Sequence, residues 1–413
     1  MKKKLTFLAV LTCSFLSYSQ DPDDSYKLLF IGVDGVRSDA LQQQITNGNA
    51  PNIKSIFDAG MSTYDSWNMG TTSSGPSWSN MLTGVWQAKH GVSNNNYTGS
   101  NYNTFPYFPT RVKECRPNLK AVQITSWAPM SDNVYNDGWN NKIIVPTDDA
   151  ATQVAINQLQ DPQLDLLFYY LNDCDAAGHG NGFNPAVAPY MNAIAYADSQ
   201  IGQVLNALEA RPTYSSEKWL ILVCTDHGGS GTSHGGNSND ERHIWWGASG
   251  YQIPHMTISG SDPGSFTFGT PPNPAVIQQT PVQTDIAVTA LNYLIRDTLC
   301  IQSHNSTWNL DGKSWLIKEE STAGLNTNKI NFNWSVSPNP TSGLCEISLE
   351  TGMNEPAQMT IQNLTGKAVY ESTLPALGAN QKIQLNLSDL DAGTYFIRIS
   401  IKGQTTSQLL IKQ

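Results

Sequence analysis

Charge is scarce in this chain. Only 14% of its 413 residues are Asp, Glu, Lys or Arg, and acidic groups outnumber basic ones 34 to 24. A protein that tracks a phosphate backbone needs a basic stripe, so this balance excludes a nucleic acid duplex as partner. Long apolar runs are missing too. Beyond the N-terminus no stretch is apolar enough to span a bilayer, so no transmembrane segment is expected. Cysteine is sparse, with six residues at spacings that resemble no CxxC zinc site. Disorder is excluded from the opposite side, because 11 Trp, 16 Tyr and 12 Phe supply bulky groups to bury. At this length the chain can hold two domains and needs no staple merely to fold.

What is present begins with a leader. Lys2, Lys3 and Lys4 precede an apolar run from Leu5 to Leu16, and small residues follow around Ser17-Tyr18-Ser19. A charged start, a short apolar middle and a small-residue exit predict a signal peptide over residues 1–19, too short for a spanning helix. Its removal takes the net charge from −10 to about −13. Cys13 follows Leu11-Thr12, a poor lipoprotein box, so a soluble export product is expected. Five cysteines remain: Cys115, Cys174, Cys224, Cys300 and Cys345. Their odd count leaves at least one unpaired, and the spacing does not say which pairs form. Cys224, at the end of Leu220-Ile221-Leu222-Val223, reads as a strand-core thiol.

From about residue 20 to 318 the pattern is α/β. Leu28 to Val33, Lys120 to Ile124, Leu164 to Leu171 and Trp219 to Cys224 are mostly continuous apolar runs, as strands buried on both faces of a parallel sheet require. Tyr190, Ile194, Ala197, Ile201, Val204 and Leu208 form one helical stripe to lay on that sheet. Another helix is predicted over Asp285 to Ile295, with Thr284 as N-cap. A small, polar linker at 319–332 follows, and from 333 to 413 short alternating strands separated by turns such as Thr365-Gly366 and Ala392-Gly393 predict a small β-sandwich. That C-terminal part contains no His, which argues against a metal or acid–base site there.

Four segments carry the chemistry, and three of them end a predicted strand. Asp34, before Gly35, closes the first. The run from Gly70 to Gly84 is rich in hydroxyls and leads into a helix, where backbone N–H groups stabilise an alkoxide or a bound anion. Asp175 and His179 lie four apart after Leu171-Asn172, within reach of one metal, with Asp173 as the alternative carboxylate. Asp226-His227-Gly228 ends the last strand, and His234-Gly235 follows, with His243 as the alternative third imidazole. Acid and imidazole pairs suit zinc or a similar borderline ion. Buried Asp and His are costly unless paired or bound, so three such sets at strand ends point to a site.

Together these residues resemble the alkaline phosphatase superfamily, closest to its type I phosphodiesterase/nucleotide pyrophosphatase branch. The ordered set is Asp34, Ser74-Gly75-Pro76, Thr83-Gly84, His90-Gly91, Asp175 to His179, Asp226-His227-Gly228, His234-Gly235, Gln283-Thr284-Asp285-Ile286 and Leu310-Asp311-Gly312-Lys313. The resemblance implies a mainly parallel sheet sandwiched by helices. It also implies two divalent metal ions, in this donor set zinc: one held by Asp175, His179 and His234, the other by Asp34, Asp226 and His227 beside Ser74. Ser74 would attack phosphorus to give a phosphoenzyme, and Asn95 would donate to a non-bridging oxygen. His90 reads as structural. The expected substrate is a small phosphoester, nucleotide-like ones included, with Trp67, Trp78, Trp86, Trp127, Trp139, Trp245 and Trp246 as candidates to stack a base and Arg37 and Lys89 as candidates to meet its charge. Two rivals stand beside this reading. A sulfatase with Ser74 as the modified residue fits Ser74-Gly75-Pro76-Ser77, but Trp78 stands where the sulfatase motif has Arg. A non-catalytic binding protein on this scaffold should have lost ligands, and none is missing.

The C-terminal part resembles a type IX secretion system type A sorting domain, on Ser337-Pro338-Asn339-Pro340-Thr341-Ser342-Gly343, Leu390-Asp391-Ala392-Gly393-Thr394-Tyr395 and the terminal Leu410-Ile411-Lys412. It implies the type IX machinery as partner and a secreted or surface-attached product.

Overall fold

The structure is a computed structural model. It describes residues 25–316 and 334–413, apart from 136, 265–266, 268–269, 279, 296–297, 350–355, 364–367, 377, 379–380 and 402–403. The expected leader at 1–19, the linker at 319–332 and the turn at 365–366 lie outside the described residues. The chain divides into two compact units, Met1–Glu319 and Glu320–Gln413. Among the described residues no helix is long and apolar enough to cross a membrane.

The first unit is built on one sheet. Its strands are β1 (Tyr26–Val33), β2 (Gly60–Trp67), β3 (Ala121–Thr125), β4 (Asn141–Ile144), β5 (Leu166–Leu171), β6 (Lys218–Cys224), β7 (His243–Gly250) and β8 (Met256–Thr257). Their order is β4-β3-β5-β1-β6-β7-β2-β8, and only β7 runs against the rest. β1 is buried at all eight positions, because alternate side chains must leave on opposite faces and both faces are covered. Leu28 and Phe30 join Trp78, Met81, Phe108 and Ile286 on one face. Leu29, Ile31 and Val33 join Leu41, Ile53, Ala151 and Tyr190 on the other. The helix Ala188–Glu209 buries all six residues of its expected stripe. This is the expected three-layer α/β sandwich.

Register places the site. Val33 pairs with Leu171, and Gly32 with Cys224, so the three central strands end level with one another. The residues that follow them therefore meet at one point of the sheet's carboxyl edge, where open α/β sheets place ligands.

Some expectations are corrected. The helix at Asp285–Leu294 forms, but Thr284 at its N-cap position makes no side-chain cap, and its Oγ1 is buried without a partner. Asp285 Oδ2 instead accepts Val282 N–H, ahead of the helix, at 3.1 Å. β2, β4, β7 and β8 were not anticipated, since none is an apolar run: β2 reads GMSTYDSW and β4 is an exposed edge. Cys115 and Cys300 form a disulfide, and Cys174, Cys224 and Cys345 are free and buried.

The second unit pairs a three-stranded sheet, with β9 (Trp334–Ser337), β10 (Leu344–Leu349) and β13 (Lys382–Asn386), with a four-stranded one. The latter holds β11 (Ala357–Asn363), β12 (Ala368–Leu374), β14 (Gly393–Ile401) and β15 (Gln404–Lys412). Trp334, Ile347, Met359, Ile361, Ile397 and Ile399 from both sheets share one core, as a sandwich requires.

Candidate active site

Asp34, the first residue beyond β1, is fully buried. Its Oδ2 accepts from the Tyr170 hydroxyl at 2.5 Å and from Trp78 Nε1 at 3.0 Å, so its Oδ1 is left toward Ser74 and His227. The chain then turns through Gly35 at φ +70°. A Cβ there would sit 2.7 Å from the Asp175 Cβ, so only glycine allows both the turn and the approach of Asp175. Asp175 and His179 lie on one face of the helix Asp173–Asn181. Asp148 anchors the start of that helix by accepting the N–H groups of Asn172 and Asp173 and the Ser126 hydroxyl. Asp173 is exposed while Asp175 is buried in the cluster.

Ser74 opens the helix Ser74–Thr83, one residue after the N-cap Ser73. It is 5% exposed, and its Oγ lies 3.4 Å from both Asp34 Oδ1 and His227 Nε2. The three imidazoles share one arrangement. Nδ1–H of His179 donates to the Thr232 carbonyl at 2.9 Å, that of His227 to Gly228 at 2.8 Å and that of His234 to Thr72 at 2.8 Å. Each bond fixes the tautomer and turns an Nε2 lone pair inward, the usual support of a metal-binding His. Nε2 of His234 then lies 3.0 Å from Nε2 of His179 and 3.5 Å from Asp175 Oδ1, and Nε2 of His227 lies 3.5 Å from Asp226 Oδ2. The His227 and His234 rings are 4.0 Å apart, so the seven groups form one continuous cluster.

Electrostatics make this cluster costly as it stands. Burial pushes the carboxyls of Asp34 and Asp226 up, and it raises Asp175, with help from the Asp34 charge, to about 8. Burial likewise holds His227 down to about 4 and His234 to about 3. Asp175 Oδ1 and Asp226 Oδ2 are buried with no hydrogen-bond partner, and two imidazole lone pairs face each other. Buried acceptors without a donor are expensive, and a divalent cation is the group that satisfies them all. Asp175, His227 and His234, and Asp34, Asp226 and His227, bring one donor atom each within 4.8 Å of one another. The donor set thus fits divalent metal ions.

Other sequence-predicted residues fall in mixed places. Asn95 lies against the start of the Ser74 helix, where its Oδ1 accepts Gly75 N–H at 2.8 Å. His243 lies apart, stacked on Trp67 at 4.7 Å and 3.4 Å from Asp65, so His234 is the third imidazole of the cluster. Arg37 is spent on Asp39, Asp240 and the Phe183 carbonyl, and Lys89 on Asp311 and Asn309. Trp67, Trp78, Trp86, Trp245 and Trp246 are buried, which removes them as stacking platforms. Sequence reasoning missed Tyr170, Asp148 and Thr72 as supports of the cluster. Tyr170 looked like any residue of an apolar strand, whereas Thr72 lay in the hydroxyl-rich run already singled out.

Residues 28–245 match the family described as Type I phosphodiesterase / nucleotide pyrophosphatase. Residues 335–413 match the secretion system C-terminal sorting domain, which marks the chain for export or surface attachment. No curated protein matches the chain in sequence. Among solved structures, one of a 2-O GAG sulfatase is 12% identical with a TM-score of 0.49, covering 88% of this chain and 85% of that one. A protein of Bacteroides thetaiotaomicron described as a sulfatase is 11% identical at a TM-score of 0.48, with 94% and 85% covered. A third, in complex with its substrate D-glucosamine-2-N,6-O-disulfate, is 13% identical at 0.46, with 79% and 89% covered.

Proposed function

The chain belongs to the type I phosphodiesterase / nucleotide pyrophosphatase family, and from that premise we propose that it is an exported, two-metal phosphodiester hydrolase acting through a phosphoserine on Ser74. The observation that carries the reading is the convergence of three Nε2 lone pairs and three buried carboxylates around the Ser74 hydroxyl. Asp175, His179 and His234 would hold one ion, and Asp34, Asp226 and His227 the other. Bound zinc-like ions supply Lewis acidity that lowers the pKa of a hydroxyl or water and offsets charge on phosphorus.

The residues do the rest. Ser74 Oγ, held within 3.4 Å of Asp34 and His227, attacks phosphorus; a P–O bond to Ser74 forms as the bond to the leaving alcohol breaks. The Ser74 proton goes to solvent and the departing alkoxide takes one up; water then displaces the serine, returning a proton to its Oγ, and releases the monoester. Asn95, anchored through its Oδ1 to Gly75 N–H, would donate its amide NH2 to a non-bridging oxygen, and the helix N-terminus behind Ser74 adds its dipole. A diester is favoured over a monoester because a dianion calls for an added cation, and Arg37 and Lys89 are both committed to carboxylates. A sulfatase would need its motif Arg where Trp78 is buried and bonded to Asp34, so no observation at the site favours that rival.

The test compares nitrophenyl phosphodiester, phosphomonoester and sulfate substrates with wild type and Ser74→Ala. Diester hydrolysis is expected to dominate, and Ser74→Ala to lose at least about 10³-fold in kcat with an unchanged melting temperature. Undiminished turnover in Ser74→Ala, or sulfate as the best substrate, would overturn the reading.

A further inference from the structure

Behind Asp226 runs a line of polar side chains that this chemistry does not use. His90, Asn80 and Gln283 are each 0% exposed and uncharged or held neutral. They come from three separate places in the chain: the helix Gln87–His90, the helix Ser74–Thr83, and the approach to the helix Asp285–Leu294. Their bonds run in one direction. Val92 N–H donates to His90 Nδ1 at 3.0 Å. A backbone N–H can only donate, so the ring proton must sit on Nε2, which donates to Asn80 Oδ1 at 2.8 Å. That fixes the Asn80 amide, whose Nδ2 donates to Gln283 Oε1 at 2.9 Å. Gln283 Nε2 is then bound to donate to the Asp226 carbonyl, at 2.7 Å. Asn68 Nδ2 reaches the same carbonyl at 3.2 Å and adds a second donor.

We propose that this relay, His90 to Asn80 to Gln283 to Asp226, is the positioning device for the Asp226–His227 half of the cluster, holding that turn in register with Ser74. Ser74 begins the helix in which Asn80 lies two turns on, so the nucleophile and the ligand turn are referred to one rigid element. The need for such a tether is geometric: Asp226 lies two residues past the end of β6, where the register given by strand pairing stops. An apolar filling of the same volume would pack as well but would fix no orientation of the Asp226 carbonyl, whereas a fully bonded polar line permits one.

The other half of the cluster is held from elsewhere. The Thr72 carbonyl takes His234 Nδ1–H, while the Thr72 hydroxyl accepts Gly235 N–H at 3.1 Å and donates to the Gly236 carbonyl at 2.9 Å. No bond described for His90, Asn80 or Gln283 reaches Asp175, His179 or His234. The two halves are therefore separable by mutation.

The inference rests on the two-metal reading, and the experiment keeps the two apart. Zinc affinity of the full chain is measured by chelator competition and resolved into two steps, for wild type, Gln283→Met, His90→Leu, His90→Gln and Thr72→Val. The relay variants Gln283→Met and His90→Leu are expected to weaken one step by about 10–100-fold and leave the other within about threefold. His90→Gln, which keeps a donor toward Asn80, is expected to recover most of that loss, and Thr72→Val to weaken the opposite step. Gln283→Met keeps length and volume, so it carries the test if His90→Leu does not fold. Equal weakening of both steps would make the line ordinary packing, and wild-type affinity at both steps would leave it without a role; either overturns the proposal. A wild-type chain that takes up no zinc defeats the hydrolase reading itself, a different result.

Discussion

At the residue scale the governing fact is that buried acids and imidazoles share one cluster. In the metal-free protein the two groups pull stability in opposite directions with pH. Burial raises Asp175 from 3.8 to about 8, so the folded state binds its proton more tightly than the unfolded state does. Such a group stabilises fully below its unfolded pKa, and its contribution is lost as pH rises through about 8. Asp34 and Asp226 shift the same way. His227 and His234, lowered from 6.5 to about 4 and about 3, favour the folded state when neutral and penalise it as pH falls below 6.5. Above pH 6.5 only the carboxyl contribution still changes. Chelated protein is therefore expected to lose melting temperature steadily between about pH 6.5 and 8, and zinc-loaded protein to lose little over that window. Scanning calorimetry with and without chelator checks this, and a flat chelated profile would contradict the burial of these acids. The residues that meet here were readable because Asp34, Asp175 and Asp226 follow apolar runs that end at one edge. Tyr170, Thr72 and Gln283 were not readable as partners, since a hydrogen bond between residues 57 to 162 positions apart, such as Gln283 to Asp226 or His234 to Thr72, leaves no spacing to recognise.

At the scale of elements, legibility followed burial. β1, β5 and β6 lie at the centre of the sheet and are apolar but for Lys27 and Lys218 at the starts of β1 and β6, so they announce themselves. β2 and β7 near the far edge carry Ser, Thr, His and Gly, and pairing with neighbours rather than composition makes them strands. The β-sandwich strands showed their period-2 alternation, as in the buried–exposed rhythm of β14. The disulfide was open in the sequence because five cysteines at wide spacing allow many pairings. It joins the helix Phe108–Cys115 to the helix Thr298–Trp308, closing a loop of 185 residues. Cross-linking so distant a pair removes much freedom from the unfolded chain, and loss of a native disulfide costs about 2–5 kcal/mol. Cys115→Ser and Cys300→Ser are each expected to lower stability by about that amount in urea unfolding, with the double variant no worse than either single one. The bridge is distant in sequence from every cluster residue, so kcat at 25 °C is expected to hold. Equal urea midpoints for wild type and variants, or for oxidised and reduced wild type, would show that the helices need no link.

At the scale of the whole molecule, two cores divide two tasks. The sheet unit buries Phe30, Trp78, Phe168 and their neighbours, while the sandwich buries Trp334, Ile347 and Ile397 in a cluster of its own. A unit with its own core folds without its neighbour. Every residue proposed for chemistry lies between Asp34 and His234, and the stretch from 333 to 413 has no His to contribute. The match to a sorting domain covers 335–413, so the export signal and the proposed hydrolytic site fall in different parts of the chain. A chain ending at residue 318 is therefore expected to hydrolyse a nitrophenyl phosphodiester with a kcat/KM within about twofold of the full protein. The same chain, expressed in a host with the secretion machinery, is expected to remain cell-associated and absent from surface and medium. Grafting residues 319–413 onto an unrelated periplasmic protein is expected to carry that passenger outward. A folded but inactive truncation would mean that the sandwich contributes to the site. A truncation that still reaches the medium would place the export signal elsewhere.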